Sequence, residues 1–369
     1  MSPPISTPII KPVDGTCNLS CSYCYSSRLK ASASPGARMS LATLARLVDF
    51  FCSDQSAVEF IWHGGEPLLA GLGFYREAVA CQQRWIDQGK SITNFVQTNG
   101  VLINEEWAGF LAENGFVVGV SLDGPACIHD AVRKRQDGGG SHEAVMRGIR
   151  LLQDVGVFNG VICGVSNQNV DRVKEVFEFF ISRSIKKLKF NRVRHTGDCD
   201  ARAFDAVTPA AFAQFMIDVF DTWLALDDPE VEIRDIQTVV GLVLGGRMRE
   251  CIYLGQCQQF ATVYADGSVY ACDSFERGDA LRFGTIHDAP AEVRASPQLT
   301  FLTGIMQRRR RQCAPCRWYW ICRGGCMRDG YSGLDAVEPN DEVCQSLQRY
   351  FEHIVSRLES YGLHYKSTC

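Results

Sequence analysis

Residues 7–24, TPIIKPVDGTCNLSCSYC, join a short apolar run to three closely spaced cysteines. The run is rich in Ile and Val and ends at Asp and Gly, so it predicts a buried strand followed by a loop. Five further runs of this kind follow at 57–62, 92–98, 116–122, 158–165 and 187–193. Amphipathic stretches between the runs predict helices at 41–52, 73–87, 105–114, 142–155 and 170–182. Alternating strands and helices imply parallel βαβ units, and about six units fit a partial TIM-like (β/α)6 barrel better than a complete eightfold one.

The pattern of the chain changes near residues 230–250. A further helix is predicted at 208–226, but from Cys251 on the helical periodicity fades while cysteines and turn residues become frequent. Residues 259–273, QFATVYADGSVYACD, predict a hairpin with its turn at 265–267. We therefore divide the chain into an α/β barrel domain, residues 1–235, and a small cysteine-rich domain, residues 236–369, which closes with a helix at about 342–361.

Composition and charge argue against a nucleic-acid-binding protein and a membrane protein. The chain has 369 residues, of which 46% are hydrophobic and 22% charged, as is ordinary for a globular protein. Its net charge of −4 implies no basic surface for nucleic acid, and no apolar run approaches the length of a transmembrane helix. The first residues lack the pattern of a signal peptide, so we expect a cytoplasmic protein with neither a nucleic-acid nor a membrane partner. The charge run Arg308–Arg311 is interpreted as a solvated helix face.

Seventeen cysteines in one chain are unusual, and in a reducing cytoplasm they indicate metal binding or catalysis more often than disulfides. Cys17, Cys21 and Cys24 follow the first predicted strand, at the face where barrel enzymes place their chemistry. Three thiolates on a short loop can hold one face of a four-iron cluster and leave one iron open to a ligand. A structural zinc site would need four ligands, which this loop does not supply.

The spacing of these cysteines, with the aromatic Tyr23 before the last one, resembles the signature of the radical S-adenosylmethionine (radical SAM) superfamily. In that superfamily the methionine part of the cofactor binds the open iron, and its reductive cleavage releases a 5′-deoxyadenosyl radical that abstracts hydrogen from the substrate. The stretch His63–Pro67 resembles the superfamily's amino-binding motif. The resemblance implies these cofactor-binding residues, each of which could also be an ordinary cap, turn or core residue: Tyr23, Gly64, Gly65, Glu66, Asn99, Ser121, Asp123 and Arg133.

A second group of eight cysteines occupies the last third of the chain: Cys251, Cys257, Cys272, Cys313, Cys316, Cys322, Cys326 and Cys344. Eight thiolates suit two fully ligated four-iron clusters, and they also suit two four-cysteine zinc sites. The spacing resembles the SPASM extension of radical SAM enzymes, which favours iron. With the first motif, the resemblance implies S-adenosylmethionine and three [4Fe-4S] clusters as cofactors.

Cysteine order over essentially the whole chain resembles anaerobic sulfatase-maturing enzymes and related peptide maturases. That resemblance implies an inner auxiliary cluster held by Cys251, Cys257, Cys272 and Cys326. It implies an outer auxiliary cluster held by Cys313, Cys316, Cys322 and Cys344. Asp273 matches the carboxylate that accepts a proton in the sulfatase maturases, although it could also be a turn residue or a hydrogen-bond acceptor beside the cluster.

These features predict a radical SAM/SPASM oxidoreductase that abstracts hydrogen from a side chain of a peptide or protein. Sulfatase maturases typically carry Gln where this chain has His63, and the polar segment 192–200, which could contact substrate, also differs from expectation. We therefore favour maturation of a ribosomally made peptide (RiPP-type maturation) over formylglycine formation from Cys or Ser. Further alternatives are oxidation of a small natural product or sugar and, in a different class, a zinc-binding structural module. A reducing electron donor such as flavodoxin or ferredoxin is the expected protein partner.

Overall fold

The computed structural model describes residues 5–25, 37–194, 205–248, 250–275, 278–330 and 338–363. Its strands in chain order are β1 (Thr7–Ile10), β2 (Ala57–Trp62), β3 (Ser91–Thr98), β4 (Val117–Ser121), β5 (Phe158–Val165), β6 (Lys187–Arg192), β7 (Glu232–Ile233), β8 (Phe260–Val263), β9 (Ser268–Tyr270) and β10 (Arg282–Thr285). Its α-helices are α1 (Leu41–Cys52), α2 (Leu72–Ile86), α3 (Glu105–Glu113), α4 (Ala126–Val132), α5 (His142–Asp154), α6 (Val173–Ser182), α7 (Pro209–Leu226), α8 (Arg234–Val243), α9 (Cys251–Leu254), α10 (Pro290–Arg294), α11 (Pro297–Cys313), α12 (Tyr319–Cys322) and α13 (Asp341–Ser360).

The chain divides into two compact units, and the first comprises residues 1–121, 133–159 and 256–304. Strands β4, β3, β2, β1 and β8 are parallel neighbours in this spatial order. Strands β9 and β10 extend the sheet beyond β8 in antiparallel pairing. Because the carboxyl ends of parallel strands meet at one edge of a sheet, residues that follow β1 to β4 are brought together there.

The second unit comprises residues 122–132, 160–255 and 305–369. Its strands β5, β6 and β7 are parallel, and the long helix α13 packs against α7. Asn340 begins α13 as its cap, because its side chain accepts a hydrogen bond from Val343 N. Among the described residues, no helix is long and apolar enough to cross a membrane.

The predicted alternation of strands and helices up to residue 193 is confirmed, and so is the hairpin formed by β8 and β9. Its turn holds Gly267 at a φ of +81°, a conformation that favours glycine. The parallel pairing of β8 with β1 is a feature that the sequence did not indicate. The domain division at residues 235 and 236 stays a prediction.

The expectation that helical order fades after Cys251 is wrong for α11, which has 17 residues. Its buried apolar side chains, Leu299, Leu302, Ile305 and Met306, do recur at helical spacing. Only the arginine run at 308–311 was predicted as a helix face from the sequence, whereas the helix extends over Pro297–Cys313.

Candidate active site

The three cysteines of the first motif, Cys17, Cys21 and Cys24, lie half-buried on the loop that follows β1. Two nitrogen donors approach Cys17 Sγ, the backbone nitrogen of Leu19 at 3.4 Å and Asn99 Nδ2 at 3.7 Å. Hydrogen bonds to sulfur of this kind stabilise the thiolates that bind iron–sulfur clusters. The donor set and its surroundings therefore fit a [4Fe-4S] cluster held by three cysteines.

A second segment fixes the path of the cysteine loop. Gln136 Nε2 donates to the carbonyl oxygens of Cys17 at 3.1 Å and Leu19 at 2.9 Å. The backbone nitrogen of Ser20 donates to the carbonyl of Lys134 at 2.7 Å. These bonds satisfy backbone groups that a loop would otherwise leave to water, so the loop is held in one conformation.

Gly64 and Gly65 are required by a close approach of two backbones. A Cβ atom on Gly65 would overlap the Thr16 carbonyl, and Gly64 has a φ of +125°. The backbone nitrogen of Gly65 donates to the Asp14 carbonyl and that of Glu66 to the Thr16 carbonyl, both at 2.8 Å. The glycines thus let the loop after β2 pack on the segment that leads to the cysteines, which is a stronger requirement than the approach of a ligand.

Glu66 is fully buried, and its carboxylate accepts three hydrogen bonds. The donors are the backbone nitrogen of Leu68 at 3.0 Å, the Thr98 hydroxyl at 2.8 Å and the backbone nitrogen of Asn99 at 2.8 Å. Burial raises the pKa of Glu66 to about 7, although the three hydrogen bonds oppose this shift. A cation bound next to Glu66 would favour the ionised carboxylate, as an ammonium group does.

Asn99 joins the loop of Glu66 to the loop of the cysteines. Its backbone binds Glu66, while its side-chain amide donates to Asn18 Oδ1 at 2.7 Å and reaches Cys17 Sγ. At the end of β4, Ser121 Oγ accepts a hydrogen bond of 3.2 Å from Gln97 Nε2. The predicted residues Glu66, Asn99 and Ser121 thus lie at the carboxyl ends of neighbouring strands in the first unit.

Two predicted cofactor contacts, Tyr23 and Arg133, pack on each other in the first unit. The guanidinium carbon of Arg133 lies 5.3 Å from the centroid of the Tyr23 ring, a cation–π distance. Asp123 lies in the second unit, fully buried, where its carboxylate accepts a 2.8 Å hydrogen bond from Gly164 N. Its carbonyl accepts from Asn169 Nδ2 at 3.0 Å. Asp123 thus ties the segment that precedes α4 to β5 within that unit, and its contact with a cofactor stays a prediction.

Asp273 lies in a charged and aromatic surrounding that the sequence did not indicate. Lys11 Nζ, which is fully buried, lies 3.3 Å from Asp273 Oδ2, and the Tyr25 hydroxyl donates to the same oxygen at 2.7 Å. His63 Nδ1 lies 3.9 Å from it. On the other side, Cys272 Sγ lies 3.8 Å from Asp273 Oδ1. One carboxylate is thus held between a predicted cluster ligand and three polar side chains.

The ionisation of this group follows from its neighbours. Burial alone would raise the pKa of Asp273, but Lys11, His63 and the Tyr25 hydroxyl outweigh it and lower the pKa to about 2. Burial lowers the pKa of His63, while Asp273 opposes this and Lys11 adds to it. His63 Nδ1 accepts a hydrogen bond from Gly64 N at 2.8 Å, so a neutral ring carries its proton on Nε2.

In the second unit, a cavity of about 270 Å³ is surrounded by cysteines. Gly324 and Gly325 shape it, both at positive φ, and a Cβ atom on Gly325 would lie 3.6 Å from Cys322 Sγ. Burial, together with neighbouring cysteines, raises the pKa of the Cys322 thiol to about 12. The cavity and its donor set fit a cluster bound by cysteine thiolates. The cysteines that line it are Cys313, Cys316, Cys322, Cys326 and Cys344.

The predicted ligands of the inner auxiliary cluster are distributed over both units. In the second unit, burial of its thiol and the neighbouring Cys326 raise the pKa of Cys251 to about 11, although the residue as a whole is exposed. In the first unit, Cys257 precedes β8 and Cys272 follows β9, and both are half-buried. This ligand set stays a prediction.

The polar segment predicted to contact substrate, 192–200, lies outside the described residues from residue 195 on. Its first part forms ion pairs in the second unit. Arg192 and Arg194 reach the two carboxylate oxygens of Asp329 at 3.0 Å and 3.2 Å.

Four residues of this site were not predicted from the sequence: Lys11, Asn18, Tyr25 and Gln136. Of these, Lys11 could have been predicted from the sequence, because a lysine at the end of a buried apolar run needs an anionic partner.

Comparison with known proteins identifies the family. The profile of the Radical SAM superfamily matches residues 13–180. The chain is 31% identical to the cysteine-type anaerobic sulfatase-maturating enzyme of Clostridium perfringens, covering 96% of this chain and 98% of that protein. It is 30% identical to a serine-type enzyme of Bacteroides thetaiotaomicron, covering 95% and 90%. The chain belongs to the anaerobic sulfatase-maturating enzymes of the radical SAM superfamily.

Solved structures agree with this family. The chain matches the structure described as native anSMEcpe with bound AdoMet and Cp18Cys peptide with a TM-score of 0.87 and 31% identity, over 97% of this chain and 99% of that one. It matches Streptococcus suis SuiB bound to S-adenosylmethionine with a TM-score of 0.66 and 14% identity, over 92% of this chain and 77% of that one, which shows the fold alone. The predicted fold, a partial barrel followed by a cysteine-rich SPASM region, is confirmed.

Family membership confirms the predicted enzyme class, a radical SAM enzyme, and the predicted cofactors, S-adenosylmethionine and [4Fe-4S] clusters. The chain is a radical SAM enzyme that matures a peptide or protein. The comparisons support the sulfatase-maturase alternative better than RiPP-type maturation, the interpretation favoured from sequence. His63, which replaces the Gln typical of sulfatase maturases, lies with its Nδ1 3.9 Å from Asp273 Oδ2.

Proposed function

We propose that this enzyme oxidises a Cys or Ser side chain of a protein substrate by two electrons to formylglycine. Ser gives the aldehyde directly, whereas Cys gives a thioaldehyde that water hydrolyses to the aldehyde with release of hydrogen sulfide. The relatives that match over nearly their full length include cysteine-type and serine-type sulfatase maturases at similar identity, so the proposal covers both side chains. The observation that carries the proposal is Asp273, a carboxylate beside Cys272 that is held by Lys11 and Tyr25.

We assign the cofactors to residues as follows. Cys17, Cys21 and Cys24 hold the first cluster, and the two auxiliary sets hold the other two. Glu66, Asn99 and Ser121 line the strand ends where S-adenosylmethionine would bind, with Gly64, Gly65, Tyr23, Asp123 and Arg133 as the further assigned positions. When bound, these groups supply a 5′-deoxyadenosyl radical, which removes one hydrogen atom from the substrate, and an acceptor for the second electron of the oxidation.

The residues around Asp273 then handle the proton. With a pKa of about 2, the carboxylate is ionised at neutral pH and can receive the proton that leaves as the substrate is oxidised. Lys11 and Tyr25 bind the same oxygen, Oδ2, and therefore leave Oδ1 on the side of Cys272. His63 is neutral and places a polar ring beside Asp273 without adding a second positive charge. The residues fix the base in one orientation before the substrate arrives.

The partner expected from sequence, a reducing carrier such as flavodoxin or ferredoxin, remains part of this proposal, as does a location in the cytoplasm. The reductive cleavage of the cofactor needs one electron, which such a carrier would supply.

The test uses the anaerobically reconstituted enzyme with S-adenosylmethionine, dithionite and synthetic peptides from a sulfatase that carry Cys, Ser or Ala at the target position. We expect an aldehyde on the Cys or Ser peptide by mass spectrometry and none on the Ala peptide. Asp273→Asn keeps the shape and removes the base, so product should fall by about a hundredfold to ten-thousandfold while 5′-deoxyadenosine still forms.

Aldehyde formation by the Asn variant at the wild-type rate would exclude Asp273 as the base. If neither peptide is oxidised while a ribosomally made precursor peptide is cross-linked or oxidised elsewhere, the proposed substrate class is wrong.

A further inference from the structure

The outer group of cysteines lies in a segment of unusual charge. Residues 305–330 contain seven arginines and one acidic residue, in a chain whose net charge is −4. The run Arg308–Arg311 was expected to form a solvated helix face, and this is wrong for one of its members. Arg309 is only 3% exposed, whereas Arg308 and Arg311 on the same helix, α11, are exposed.

The buried guanidinium group of Arg309 makes few and long polar contacts with the described residues. Its Nη1 lies 3.4 Å from the Met327 carbonyl oxygen, near the far limit of a hydrogen bond, and 3.8 Å from Met327 Sδ. Its Nε is buried and has no hydrogen-bond partner within the described part of the chain. No carboxylate among those residues forms an ion pair with it. A buried charge without a counter-charge is strongly unfavourable, so the surroundings of Arg309 are incomplete as they stand.

Arg309 faces the cavity of about 270 Å³ that the outer cysteines surround. Arg309 and Cys313 lie one turn apart on α11, and both line this cavity together with Cys344. A Cβ atom on Gly324 would lie 3.6 Å from Arg309 Cγ and 4.0 Å from Cys313 Sγ, so the Arg309 side chain and the Cys313 thiol lie next to the same glycine. Asp329 and Asp341 also line the cavity, but neither forms an ion pair with Arg309 among the described residues, so the thiolates of a bound cluster would supply the counter-charge that Arg309 lacks.

We infer that Arg309 is the buried counter-charge of the outer auxiliary cluster and raises the reduction potential of that cluster. The inference rests on the proposed assignment of Cys313, Cys316, Cys322 and Cys344 as its ligands. Four thiolates give a [4Fe-4S] cluster a net negative charge, and reduction from the 2+ to the 1+ core adds one more. A fixed cation stabilises the reduced form more than the oxidised form, so the cluster accepts an electron more readily.

A higher reduction potential of the outer cluster would set the direction of electron transfer in the proposed reaction. The electron that reduces it comes from the peptide side chain under oxidation, which loses one electron with its hydrogen atom and one more by transfer. A higher potential at the outer cluster favours transfer away from the substrate. In the test, the same electron is supplied by dithionite.

The experiment measures the potential of the outer cluster in the full-length, reconstituted enzyme. The cysteines of the first motif are replaced by Ala so that only auxiliary clusters contribute, and the reduction is followed by electron paramagnetic resonance in a potentiometric titration. The wave of the outer cluster is the one that disappears in a Cys313→Ser, Cys316→Ser double variant. Arg309→Met, Arg309→Lys and the exposed control Arg311→Met are compared with the parent protein.

We expect Arg309→Met to weaken electron binding at the outer cluster by about tenfold or more, which is a decrease of about 59 mV for one electron. Arg309→Lys should recover much of this loss, and Arg311→Met should stay near the parent value. Loss of the outer cluster in the Met variant with retention in the Lys variant would also support the inference, since the two differ in charge.

An unchanged potential in Arg309→Met would overturn the inference. Loss of the cluster in both Met and Lys variants would overturn it as well, because the shape of Arg309 would then matter rather than its charge. If the Cys313→Ser, Cys316→Ser variant retains every wave and the full iron content, the proposed ligand assignment is wrong instead. This last result is separate from any effect of Arg309.

Discussion

Replacing Glu66 by Gln should remove the part of the pH dependence of stability and of cofactor affinity that is due to this carboxyl group. The pKa of this buried carboxyl is raised from 4.5 to about 7, which corresponds to about 3 kcal/mol at about 1.4 kcal/mol per pH unit. When folding raises the pKa of a carboxyl group, the stability that the group contributes is fully present at pH values below its pKa in the unfolded chain, near 4.5. That contribution is lost as the pH rises through about 7. The free energy of unfolding of the cofactor-free wild type should therefore fall by about 3 kcal/mol over this range through Glu66.

Binding of S-adenosylmethionine should follow the opposite course, because its ammonium group favours the ionised carboxylate. Between pH 5 and 7, we expect wild-type affinity through Glu66 to rise by about tenfold per pH unit. Glu66→Gln should remove both slopes, and it should lose further stability because an amide NH2 would face the Asn99 backbone donor.

Urea unfolding measures the first slope and calorimetric titration of the cofactor measures the second, each from pH 5 to 8. Glu59→Gln, on the exposed side of β2, serves as the matched control and should keep both slopes. Parallel curves for wild type and Glu66→Gln in both measurements would refute the reasoning, since the charge of Glu66 would then have no part in either equilibrium.

Two further substitutions test the site. Gly65→Ala places a Cβ atom against the Thr16 carbonyl, so it should displace the cysteine loop and reduce the iron content by about four atoms per chain, the content of one cluster. Gly73→Ala, which meets open space, should keep the full content, and equal iron in both variants would contradict the packing argument. Lys11→Met removes the ammonium that lowers the pKa of Asp273, so the acid side of the pH–rate profile for aldehyde formation should move to higher pH. A profile that keeps its position would show that Lys11 does not act on Asp273.

The regular elements of the barrel were predictable because their signals are local. The strand at 57–62 and the helix at 41–52 occur with the predicted bounds, since apolar periodicity and capping residues act over a few positions. Cysteine spacing is local too, and for that reason the cluster motifs are visible in the sequence itself. Of the long helix α11, only the arginine run at 308–311 was predicted as helical.

The surroundings of Asp273 could not be predicted in the same way. Tyr25 and Asp273 are 248 positions apart, and they meet because β8 pairs with β1, a tertiary feature without a sequence signature. The packing of the two glycines before Glu66 on another loop was also not indicated by the sequence, and their contact with a ligand stays a prediction. The comparisons support the sulfatase-maturase alternative better than the substrate class favoured from sequence, which depended on one substituted side chain, His63.

The pairing of β1 with β8 has a consequence for the order of events during synthesis. β1 ends at Ile10, and its partner on one side, β8, is complete only at Val263. At about 5–20 residues per second, the ribosome needs roughly 10–50 seconds to make the intervening chain, and for that time one edge of β1 is open. Tyr25, which follows the cysteine loop, can meet Asp273 only after that time. A fragment that ends before β8 would keep that edge exposed and should aggregate.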